Sequence, residues 1–104
     1  MPAKVFIVLW FKEEHAAGAV WDLMGVFAHA TAALRAAKPG QSICAVPFGK
    51  LIGDDSQRQY YIQPMLQRAE DDQYYTSHRW YTFAQAARLL RGPFTLELRQ
   101  RHAP

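Results

Sequence analysis

Residues 4–38, KVFIVLWFKEEHAAGAVWDLMGVFAHATAALRAAK, carry the choice of fold. Val5 to Phe11 is an unbroken run of β-branched, aromatic and aliphatic side chains between Lys4 and Lys12. Such a run without alternation is expected of a strand covered on both faces and central in its sheet. Glu13 and Glu14 suit a helix N-terminus, where carboxylates meet unpaired amides and the positive end of the dipole. From there a helical reading extends to Lys38, with Pro39-Gly40 as the stop. On that helix Val20, Met24, Phe27 and Leu34 form one apolar seam. Ala16, Ala19, Leu23, Val26, Ala30, Ala33 and Ala37 form a second, and Gly18, Asp22, Gly25, His29 and Arg35 are left as the polar side. A helix apolar around so much of its circumference is expected inside a larger body or against a second subunit, so this reading predicts a homodimer.

Downstream, Ser42 to Phe48 reads as a strand whose Pro47 marks an edge or bulge, because proline cannot donate to a ladder. Gly49 to Ser56 follows as a loop. Gln57–Gln63 and Gln73–Tyr81 alternate in part and are expected to pair as a long hairpin. Between them, Pro64 to Asp72 reads either as one helical turn or as an acidic loop ending in Glu70-Asp71-Asp72. Thr82 and Gln85 have capping-box spacing ahead of Phe83, Ala86, Ala87, Leu89 and Leu90, and Gly92-Pro93 closes that helix. Phe94 to Arg101 alternates as a half-buried strand with Phe94, Leu96 and Leu98 inward. The order of elements resembles the split β-α-β arrangement of ferredoxin-like domains. That likeness implies an α+β fold with a mostly antiparallel sheet, two helices on one face, and an extra element between the third strand and the second helix.

The chain has 104 residues, half of them apolar and a fifth charged, which fits one ordinary globular domain over residues 1–104. Its longest apolar run is far short of the roughly 20 residues that span a bilayer. No signal-peptide pattern is read, so the expectation is a cytoplasmic protein without a membrane partner. Cys44 is the sole cysteine and sits among Ile43, Ala45 and Val46, as a buried hydrophobe would. The formal charge of +3 lies in the C-terminal half, a modest excess well below a nucleic-acid-binding stripe.

Chemistry-bearing motifs are scarce. No His/Cys/Asp/Glu spacing suits a metal, no glycine loop suits a phosphate, and no nucleophile elbow surrounds Ser42, Ser56 or Ser77. No cofactor or metal is expected. Asp22 and His29, on one stripe of the first helix, are the only acid/base pairing that an enzyme or small-molecule binder could use. All five tyrosines, by contrast, fall between Tyr60 and Tyr81, joined by His78, Arg79 and Trp80. Tyr, Trp and Arg are the usual anchors of interfaces. Tyr60, Tyr74, Trp80 and Phe83 are assigned to the core. Tyr61, Tyr75, His78, Arg79 and Tyr81, with Arg58 nearby, form the expected recognition surface. A protein partner is the favoured occupant, which makes the chain a non-enzymatic binding or regulatory protein. An inhibitor or adaptor of a larger assembly, such as an anti-defence protein of a mobile element, has this physical type. The alternative is a single-stranded nucleic acid, with bases on the outward rings and phosphates on Arg99 and Arg101.

Overall fold

The computed structural model describes residues 4–16, 18–48, 60–93 and 95–98. It is a mixed α+β structure: a six-stranded antiparallel sheet, a separate two-stranded sheet, and two helices. In chain order the elements are β1 (Lys4–His15), β2 (Gly18–Phe27), α1 (Ala30–Ala36), β3 (Ser42–Pro47), β4 (Tyr60–Gln63), β5 (Met65–Arg68), β6 (Tyr74–Tyr75), β7 (Trp80–Tyr81), α2 (Phe83–Arg91) and β8 (Thr95–Leu98). The large sheet runs β2-β1-β3-β5-β6-β7, and β4 pairs with β8.

The largest departure from the sequence reading lies at residues 13–27. No long helix begins at Glu13. The first strand continues to His15, turns, and returns as β2, so the doubly apolar helix that predicted a homodimer does not exist. Only Ala30–Ala36 is helical, a short alanine-rich segment with His29 as its N-cap. The hairpin carries register shifts between Val8 and Leu9 and between Phe11 and Glu13. Each bulge inserts a residue and breaks the two-residue alternation. Trp21, Leu23 and Val26 thus share a strand face at spacings of two and three, a pattern that imitates a helix. β1 is internal as expected, between β2 and β3.

The strand order also differs from the split β-α-β arrangement. β1 and β3 are antiparallel neighbours, with Phe6 opposite Ala45 and Val8 opposite Ile43, and no strand is inserted between them. The segment Gln57–Gln63 does not pair with Gln73–Tyr81. Its described part, β4, pairs with β8 instead, and Gln73–Tyr81 is itself a tight hairpin of β6 and β7. Residues 64–72 hold neither a helical turn nor a loop alone: Met65–Arg68 is a strand, followed by an acidic turn in which Asp71 and Asp72 both take φ of 56°.

Local chemistry fixes the other boundaries. Gln41 N donates to Lys38 O at 3.0 Å around Pro39-Gly40, and Gly40 takes φ of 90°. This is the turn that proline followed by glycine favours. Gly40 N then donates to Arg68 O and Arg68 N to Gln41 O, both at 2.8 Å, which ties the turn to β5. At α2, Gln85 N donates to Thr82 Oγ1 at 3.3 Å and Thr82 N to Gln85 Oε1 at 2.9 Å, the reciprocal capping box. Thr82→Ala is expected to cost about 1 kcal/mol, measured as a shift in urea midpoint at unchanged slope.

The core lies between the sheet and the helices. Phe6, Val8, Ile43, Ala45, Leu66 and Tyr74 from the strands meet Ala33, Leu34, Ala86, Ala87 and Leu90 from α1 and α2. Alanines on both helices let them approach the sheet closely. Cys44 points the other way and is also fully buried, and β4 lies against β3.

Candidate interaction surface

The β6–β7 hairpin and the start of α2 position the aromatic segment. Thr76 N donates to Arg79 O at 3.0 Å, and His78 N donates to Thr76 Oγ1 at 3.3 Å, folding the chain sharply at Ser77-His78. The turn sets Tyr74 opposite Tyr81 and Tyr75 opposite Trp80. Directly opposed residues share a face, so the sorting expected from one continuous strand changes. Tyr74 and Tyr81 face the helices, whereas Tyr75 and Trp80 face away.

Tyr74 is buried, and its hydroxyl donates to Leu34 O at 2.8 Å. Burial pushes its pKa up, partly opposed by the nearby Arg68 and Arg35. Trp80 was assigned to the core but is 60% exposed. β7 is an edge strand with only β6 beside it in the sheet. The Trp80 indole stacks at a tilt on Tyr75, with ring centroids 5.0 Å apart. Arg79 is exposed and lies 4.8 Å above the half-buried Tyr81 ring. His78 is exposed at the turn. The Tyr61 side chain, together with Arg58, Arg99 and Arg101, lies outside the described residues.

Two open grooves flank α2. One, of about 370 Å³, is lined by Arg79, Tyr81, Gln85, Arg88, Leu89 and Pro93, with no acidic side chain among the described residues. Arg88, which the sequence reading passed over, joins Arg79 there because it lies one turn beyond Gln85 on the same side of α2. The other groove, of about 340 Å³, is lined by Arg35, Arg68, Asp72, Tyr74 and Phe83. Arg35 lies 5.0 Å over the Phe83 ring and Arg68 lies 5.1 Å over Tyr74. The Arg68 guanidinium also pairs with Asp72 at 2.9 Å, so its charge is partly answered within the fold. Aromatic faces stabilise each cation by about 0.5–1 kcal/mol and hold it flat against the surface.

The remaining candidates do not converge. Asp22 sits on β2, paired with Lys12 at 3.2 Å, and His29 caps α1. Strand rather than helix runs between them as far as Phe27, so they share no helical stripe. Among the described residues no group of three His, Cys, Asp or Glu side chains could hold a metal ion. No helix among them is long and apolar enough to cross a membrane. No protein-family model, curated protein or solved structure matches the chain.

Proposed function

We propose that this chain is a non-enzymatic binding protein whose β6–β7 edge and α2 grooves dock an acidic segment of a protein partner. One observation carries the reading: Arg79 is laid over Tyr81 at the mouth of a groove with no acid among the described residues that line it, while Trp80, 60% exposed and stacked on Tyr75, offers an aromatic anchor on the opposite face of the same edge strand. A large rigid ring at an edge supplies apolar anchorage, and stacked guanidiniums are held in place before a partner arrives, which reduces the ordering entropy of binding. Arg79 and Arg88 select for carboxylates by charge. A regulatory or inhibitory role suits a small surface of this kind, which occludes by occupying.

A single-stranded nucleic acid could use the same rings and arginines. The turn Glu70-Asp71-Asp72 beside β6 repels any anion, and a nucleic acid, charged at every nucleotide, is harder to keep clear of it than a short acidic peptide confined to the groove at Arg79 and Arg88.

The test is affinity capture from the host cell's lysate with wild type, Trp80→Ala and the Arg79→Ala/Arg88→Ala pair, each confirmed folded by its melting curve. The expected result is a protein retained by wild type whose affinity falls about 30-fold, roughly 2 kcal/mol, on losing Trp80. Equal retention by all three proteins would refute the site. Tight binding of oligothymidine at low salt, lost as salt rises, would replace the protein partner with nucleic acid.

A further inference from the structure

Among the described residues, most of the exposed large hydrophobic side chains are not at β7 but at the opposite edge, on the β1–β2 hairpin. Phe6 and Val8 of β1 point into the core, so Ile7, Leu9 and Phe11 point to the face away from the helices. Their partners across the hairpin are Val26, Leu23 and Trp21. Three successive cross-strand pairs are therefore apolar on both sides. Phe11 and Trp21 meet edge to face with centroids 5.2 Å apart, and Trp21, Leu23 and Val26 are 36%, 60% and 56% exposed.

Further along the same face the sheet is covered. Ile7 is opposite Cys44 and Leu9 opposite Ser42, both buried, and β4 lies against β3. Cover on this face therefore thins from β3 to the outer strand β2, where Trp21, Leu23 and Val26 stay exposed. A sheet apolar on both faces needs a layer on each.

We propose that a second copy of this chain supplies that layer, the two hairpins packing face to face about a two-fold axis. Three features favour a copy over another occupant. The row contains no charged or hydrogen-bonding side chain except the Trp21 indole, so a two-fold lays it on itself without burying an unpaired charge. Asp22 points to the other face, where Lys12 pairs with it. The hairpin end bears Glu13 and Glu14, both exposed, which disfavour an anionic membrane or a nucleic acid. With Met24 at its margin, the patch exposes on the order of 550 Å², about 1,100 Å² for two copies, which clears the roughly 1,000 Å² expected of a specific interface. Met24 is the extra residue of a bulge in the outer strand. Bulges on edges obstruct strand-to-strand addition, so the face, rather than the edge, makes the contact.

Sedimentation equilibrium at loadings up to about 100 μM tests this in a range where even weak dimers fill. The expected mass approaches twice the monomer's 11.9 kDa. Leu23→Glu and, separately, Val26→Lys are expected to return it to 11.9 kDa with the melting temperature of the dilute protein unchanged. Trp80→Ala, at the far edge, leaves the dimer intact. A wild type that stays at the monomer mass throughout overturns the proposal, as does a dimer that survives both hairpin substitutions.

Discussion

Tyr74→Ala is expected to remove about 3–5 kcal/mol of folding stability, the range for truncating a fully buried aromatic. For a chain of this size that is a large share of the 5–15 kcal/mol typically available. The residue belongs to a strand of only two residues, yet three other elements meet on it. Its ring packs 6.4 Å from Phe83 of α2 and carries the Arg68 guanidinium of β5, while its hydroxyl binds a carbonyl of α1. Tyr74→Phe separates these contributions. It keeps the packing and leaves Leu34 O without its phenol donor, so its cost is about 1 kcal/mol. Tyr75, half-buried on the outer face, serves as the comparison: Tyr75→Ala is expected to shift stability by far less. Chemical denaturation of the three variants ranks them, and a Tyr74→Ala protein as stable as wild type would mean that the ring is not part of the core.

Alkaline pH should destabilise the protein through Cys44. The thiol is fully buried on β3, and desolvation pushes its pKa from 9.0 up to about 12. Folding therefore holds the proton more tightly than the unfolded chain does. With the folded pKa the higher, the contribution is intact below about pH 9 and is lost as pH rises from there toward 12, because the unfolded state alone gains by ionising. At about pH 10.5 the loss is about 2 kcal/mol. Cys44→Ala removes the ionisable group while keeping a small apolar side chain. Denaturation midpoints of wild type and variant, followed from neutral pH upward, are expected to converge or cross as wild type weakens. Parallel curves would show that Cys44 does not titrate on unfolding. The same burial predicts that native protein resists thiol alkylation until it unfolds, since only the thiolate reacts.

The two predictions concern residues of different legibility. Cys44 was readable as buried from its apolar neighbours. Tyr74 was assigned to the core for its type, but the folding of its segment at Ser77-His78 was not foreseen, and Trp80 was placed inside where the structure leaves it at an edge. The aromatic density between residues 60 and 81 marked the region where the proposed interaction surface lies. Arg35, Arg68 and Arg88 carried no signal of their own, because their proximity to rings depends on how α1, β5 and α2 pack.

What residues 1–104 determined unaided were the features written in local chemistry. The Val5–Phe11 run made an internal strand, Pro39-Gly40 made its turn, and Thr82 with Gln85 opened α2, because in each case backbone preference and a neighbouring side chain suffice. The stretch Gly18–Phe27 obeyed a different cause. Its Ala, Leu and Met tolerate a helix, its bulge disguises strand alternation, and only pairing with β1 makes an extended conformation the lower in free energy. Gly18 and Gly25, each costly within a helix, were the local hint against it. Which strands became neighbours, which rings stayed in solvent and which arginines gathered around α2 were settled by tertiary packing. Ladder hydrogen bonds and burial against distant segments outweigh intrinsic propensities of a few tenths of a kcal/mol per residue, and those distant partners cannot be read from adjacent residues.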